Sequence, residues 1–160
     1  MEGKLAREIE ETFGRHLLRI EEAQDRYLEA STQNEFPGGG VIFGSDVAVP
    51  LLRDGDDDKI SKMTIGYPVH LKNMFYIVDV PAGAAIDAHR HDEDIFRILI
   101  SGDITVNNRD VAIGEWFVVP AGTTYEIHTR QGYKALSAYT SICQTRRVSS
   151  NLHFEEDWPE

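Results

Sequence analysis

The sequence predicts an all-β barrel or sandwich preceded by one long α-helix. Three observations carry this reading. Residues 2 to about 31 repeat their apolar positions every three or four residues, as an amphipathic helix does. Beyond residue 40 the chain breaks into short runs rich in β-branched and aromatic residues, separated by Gly, Pro, Asn or Asp. No helical pattern interrupts those runs, which argues against a parallel α/β sheet.

The helix is read from Leu5, Ile9, Phe13, Leu17, Ile20, Gln24 and Tyr27 or Leu28, which fall on one stripe, with charged residues filling the rest. Gly14 weakens its middle by roughly 1 kcal/mol relative to alanine, so a kink is allowed there. Such a helix is longer than a small core needs, and part of its stripe is expected to pack on a second subunit, making a homodimer. Packing on its own barrel is the alternative. Pro37 and the glycines at 38 to 40 cannot continue a helix, so residues 33–40 read as a linker. The barrel is expected over 41–150 and an acidic tail over 151–160, the helix occupying 1–32. Strand-like runs are Val41 to Phe43, Val47 to Leu52, Met74 to Val80, Ile95 to Ile100, Ile104 to Val106, Trp116 to Val119, Tyr125 to His128 and Tyr133 to Ile142. Ser101-Gly102-Asp103 and Asn107-Asn108-Arg109 read as hairpin turns. The run Asp54 to Asp58 resembles the start of a calcium loop. Lys59 stands where the turn glycine belongs, however, so a solvated turn is expected.

Composition excludes several classes. Of 160 residues, 16 are Lys or Arg and 27 are Asp or Glu, a formal net charge of −11, which disfavours nucleic acid and anionic membranes as partners. Cys143 is a lone cysteine without a neighbour to activate it, so it reads as a small buried residue. No apolar run is long enough to span a bilayer, and the charged start MEGKLAREIEE lacks the apolar stretch of a signal peptide; a cytoplasmic location is expected.

The chemistry concentrates between Gly83 and Thr129. His89 and His91, two apart on a strand, project to one face, and imidazole is the commonest ligand for iron, zinc, nickel or copper. The wider pattern is more specific. Gly83, five residues, His89-Arg90-His91, an apolar strand and Ser101-Gly102 resemble the first motif of the cupin superfamily. Gly114, five residues, Pro120-Ala121-Gly122 and Tyr125 are similar to the second. The resemblance covers about residues 70 to 145. It implies a double-stranded β-helix, the cupin or jelly-roll barrel, holding a small molecule and a divalent ion (iron, zinc, manganese or nickel).

Two of the family's four metal ligands are replaced. Ile95 occupies the glutamate position, with Glu93 and Asp94 beside it, and a one-residue bulge is what would bring Asp94 inward. Tyr125 occupies the position of the second-motif histidine, and His128, three residues on, points to the opposite face. Arg97 shares alternation with Ile95 and Leu99, the inward face, where a guanidinium is costly unless an anion pairs with it; an outward position at an interface is the alternative. Tyr133, Ser137, Tyr139, Ser141 and Cys143 share one face of the last long strand, and most strand aromatics are expected in the core.

The functional expectation is a barrel binding a small carboxylated metabolite. His89 and His91 are the metal ligands, Arg97 the anchor, and Tyr125 the ligand-contacting acid–base residue. An enzyme of dioxygenase, isomerase or lyase type and a metal-free binding or sensing module are the two readings.

Overall fold

The computed structural model describes residues 2–33, 40–49, 63–140 and 145–147, with backbone alone for most of 2–17 and for 145–147. The acidic turn at Asp54, most of the linker, the run beyond Val49, Ser141, Cys143, Phe154 and Trp158 lie outside the described residues.

One helix, α1 (Glu2–Gln33), opens the chain and runs through Gly14 without interruption. Its 32 residues span about 48 Å. Then follow β1 (Ile42–Phe43), α2 (Gly44–Val47) and a 3-10 turn at Val69–Leu71. Eight of the remaining strands are β2 (Met74–Val80), β3 (Ala85–His91), β4 (Ile95–Gly102), β5 (Ile104–Val106), β6 (Arg109–Val111), β7 (Trp116–Val119), β8 (Tyr125–His128) and β9 (Tyr133–Tyr139), and β10 (Thr145–Arg147) closes the series. They form two five-stranded sheets, one ordered β1-β7-β4-β9-β2 and the other β10-β3-β8-β5-β6, with every pairing antiparallel. From β2 to β5 and again from β6 to β10 successive strands alternate between the sheets, so the fold is an all-β jelly roll with an N-terminal helix. No helix among the described residues is long and apolar enough to cross a membrane.

Two apolar layers explain the sequence pattern. The first lies between the sheets and joins Phe43, Ile95, Leu99, Ile104, Val106, Phe117, Val119, Tyr125, Ile127 and Ala135. The second covers the outer face of the first sheet with Tyr27, Ile42, Val47, Tyr67, Phe96, Trp116, Val118 and Ala138. Central strands of this sheet are therefore buried on both faces, which is why Trp116 to Val119 is a continuous apolar run. Rings of Tyr27, Tyr67, Phe96 and Trp116 make a chain of contacts with centroids 5.4, 5.5 and 5.9 Å apart, anchoring α1 to the sheet.

Several expectations are corrected. Val47 sits in α2 and not in a strand. The helix contacts the barrel through Ala23, Tyr27 and Ala30, whereas Ile20, Gln24 and Leu28 of the expected stripe are exposed. The reason is close approach: a Cβ on Gly66 would lie 2.3 Å from the Ala23 carbonyl oxygen, so small residues set the contact. Phe75 and Tyr76 are exposed because β2 is an edge strand. Asn107 and Asn108, both with positive φ, do make the β5–β6 hairpin. Ser101-Gly102-Asp103 is no hairpin, since β4 and β5 belong to different sheets; Gly102, at φ 87°, hands the chain from one to the other.

Gly102 and Gly114 separate two costs of a side chain. Both have positive φ, but a Cβ at 114 meets nothing within 4 Å while one at 102 would lie 2.0 Å from the Gly132 carbonyl oxygen. Gly114→Ala should lose about 1–2 kcal/mol, the backbone cost alone, and Gly102→Ala clearly more, as read from urea unfolding of the two variants. Equal losses would show that the β4–β9 backbone yields freely.

Candidate functional site

The site is built on β3, β8, β4 and β9, which face one another across the barrel. Ile86 packs against the inner core and His89, three residues on, is buried as well, which strict alternation forbids. The register between β3 and β8 shifts between these two residues. That irregularity re-aims the strand, so His89 and His91 both turn inward. β3 lies between β8 and β10, with His89 opposite both Tyr125 and Arg147.

Both imidazoles are oriented by hydrogen bonds. His89 Nδ1 lies 2.8 Å from the Asp87 carbonyl oxygen. A carbonyl only accepts, so Nδ1 carries a proton and donates it. His91 Nε2 lies 3.1 Å from the Tyr125 hydroxyl. Burial pushes His91 down to about 4, and His89 and Arg97 act in the same direction, so its ring is neutral at ordinary pH. The His89 and His91 ring centroids are 5.1 Å apart, and His89 and Tyr125 are 4.4 Å apart. Two imidazoles sharing one ion at metal–nitrogen distances of about 2.1 Å would place their centroids about 5 Å apart. The neutral His91 ring, the hydrogen-bonded orientation of His89 and this spacing fit a divalent ion. The other positions would fall to the Tyr125 oxygen, water or ligand, because among the described residues no group of three or more His, Cys, Asp or Glu could hold a metal.

Arg97 points inward, and the outward alternative does not apply. It is buried between Ile95 and Leu99, which are fully buried on the same face. Its Nη2 donates to the Tyr139 hydroxyl at 3.0 Å, and its guanidinium carbon lies 5.6 Å from the centre of the Tyr125 ring. Burial works against the charge; the guanidinium stays protonated at ordinary pH, with the phenols of Tyr125, Tyr139 and Tyr133 acting to hold its proton. Arg97 makes no ion pair with a carboxylate among the described residues. The Tyr139 ring also lies 6.0 Å from that of His91, so the histidine and arginine ends of the site are continuous.

The neighbouring acids are occupied elsewhere. Asp94 accepts from the Ala121 backbone N–H at 2.8 Å, so no bulge brings it inward. Glu93 accepts from the Thr140 N–H at 2.6 Å and pairs with Lys72 at 3.2 Å, tying the start of β4 to the end of β9. His128 is exposed and pairs with Glu126, as its odd spacing from Tyr125 requires. Tyr133 and Ser137, on the face that sequence alternation marked, are buried deep within the barrel and do not form a rim. The polar sequence of β9 signalled them; nothing in it showed that their hydroxyls meet no protein partner.

No family model matches the chain, and no curated protein matches it. Among solved structures it is similar to salicylate 1,2-dioxygenase from Pseudaminobacter salicylatoxidans, at 11% identity and a TM-score of 0.41, over 81% of this chain and 36% of that one. Gentisate adducts of that enzyme are similar at 12% identity and a TM-score of 0.41, over 76% and 33% of the two chains. A mutant of it is similar at 14% identity and a TM-score of 0.36, over 45% and 23%. The chain thus spans about a third or less of the length of these proteins. Backbone likeness of this degree carries no information on substrate.

Glu93 tests the division between scaffold and site. Its partner Lys72 has a nearly buried side chain, so Glu93→Ala should cost about 3–5 kcal/mol in chemical unfolding by stranding that ammonium. The metal content of the folded variant should be that of the parent. A fall in metal content at unchanged stability would instead make Glu93 a ligand.

Proposed function

We propose that the barrel binds a small carboxylated metabolite, its carboxylate on Arg97 and its body beside His89, His91 and Tyr125. The observation that supports this is the buried Arg97 cation, which meets phenols and, among the described residues, no carboxylate. Such a charge is destabilising unless an anion offsets it, and an incoming carboxylate matches the guanidinium fork. Arg97 would orient the ligand. Tyr125, whose hydroxyl is within hydrogen-bond reach of His91, would hold or move a proton at its phenol oxygen. His89 and His91 would hold a divalent ion (iron, zinc, manganese or nickel), which when bound would polarise a ligand oxygen, as reactions of the dioxygenase, isomerase or lyase type require.

A second reading is a metal-free binding or sensing module that uses the same pocket without converting its ligand. Ile95, apolar and fully buried at the position of the family's glutamate, supports it.

Two measurements test these readings. A carboxylate present at about 100 times its Kd should stabilise the protein by about 2.7 kcal/mol, a rise in Tm of about 5–10 °C for a chain of this size. Arg97→Met should abolish that rise, while its ligand-free stability stays equal to or above the parent's. Equal ligand effects on both proteins would overturn the anchor. For the metal, elemental analysis of protein purified without a histidine tag should find a stoichiometric ion that is lost when both His89 and His91 become alanine. Less than about a tenth of an equivalent, with Tm indifferent to added metals, would decide for the binding module.

A further inference from the structure

Three polar atoms inside the barrel have no hydrogen-bond partner among the described residues: Arg97 Nε, Ser137 Oγ and Tyr133 Oη. They belong to adjacent strands. Arg97 lies directly opposite Ser137 in the β4–β9 register, and Gly102 opposite Tyr133. All three residues are more than nine-tenths buried, Ser137 completely. Tyr133 is near enough to Arg97 for each to shift the other's titration, with burial as the dominant influence on the phenol, which it keeps protonated.

The three groups share one chemistry. A guanidinium N–H, a serine O–H and a neutral phenol O–H can each donate, and a donor buried without an acceptor is destabilising. Alanine in place of Ser137 or phenylalanine in place of Tyr133 would fill the same space without that penalty. The neighbouring inward residue of β9, Ala135, is apolar. What could serve donors from both strands at once is an acceptor with several lone pairs. One of the donors carries a single positive charge and the other two are neutral, so an acceptor with one negative charge leaves the pocket uncharged. A doubly charged group leaves an uncompensated anion in a low-dielectric interior.

We propose that Arg97, Ser137 and Tyr133 form a three-donor subsite for one carboxylate, which accepts that monoanion and rejects phosphate. This rests on the reading of Arg97 as a carboxylate anchor and adds two residues and an anion preference to it. Tyr139, already bonded to Arg97, positions the guanidinium.

The test compares the parent protein with Ser137→Ala, Tyr133→Phe and Arg97→Met. The probes are butyrate, its neutral amide butyramide, and inorganic phosphate at a pH well above its second ionisation, where it is a dianion, each followed by calorimetric titration and thermal unfolding. The expected result has three parts. Ligand-free Tm of Ser137→Ala and Tyr133→Phe equals or exceeds that of the parent. Each variant binds butyrate about five- to tenfold more weakly. Butyramide and phosphate leave the parent's Tm unchanged. Variants that lower the ligand-free Tm and leave butyrate affinity unchanged would overturn the subsite, because the two hydroxyls would then be structural. Phosphate binding as tight as butyrate binding would overturn the anion preference. Butyrate binding that is lost in Arg97→Met but intact in both hydroxyl variants removes this inference and leaves the anchor standing. Binding that survives Arg97→Met, or is absent from the parent, removes both.

Discussion

A single positive charge enclosed by antiparallel strands organises this molecule. Arg97 sits where an aliphatic residue would pack, between Ile95 and Leu99, and among the described residues its guanidinium is met by phenols in place of a carboxylate. The fold tolerates this because the first sheet is buried on both faces. The outer layer of Tyr27, Tyr67, Phe96 and Trp116 supplies apolar burial that the interior gives up to polar groups. At about 25 cal/mol per Å² of apolar surface, a few aromatic side chains are enough to offset a polar interior of this kind.

Helix α1 belongs to the same balance. It is fixed by Ala23 and Tyr27, through a contact close enough that Gly66 is needed opposite. The sequence does not advertise this. A hydrophobic stripe is weighted by large side chains, so Ile20 and Leu28 draw the reading and Ala23 does not. The exposed apolar residues of the helix and the close contact beneath it are separate facts, and only the second holds the barrel.

Much of the barrel is legible in the sequence because its strands are bounded by residues with fixed backbone demands. Asn107 and Asn108 adopt positive φ, and Met74 to Val80, Ile104 to Val106 and Trp116 to Val119 each end where an apolar run meets Pro or Asn. Pairing is less legible. Gly102 has the composition of a hairpin turn yet carries the chain between sheets, because sheet membership is decided by long-range contacts that no local turn encodes. The inward placement of Arg97 follows from alternation with Ile95 and Leu99. His89 is different: it faces inward only because the register shifts after Ile86, and the His-x-His spacing alone does not show that shift. The fates of Glu93 and Asp94 were equally hidden, since a carboxylate that serves a backbone N–H and one that serves an ion look alike in sequence.

Ile95 has one more implication. It lies two residues before Arg97 on the same strand face, about 7 Å away. An acidic side chain at that position would stand on the same face within reach of the guanidinium and would neutralise it. The aliphatic residue at 95 is what keeps the charge unspent.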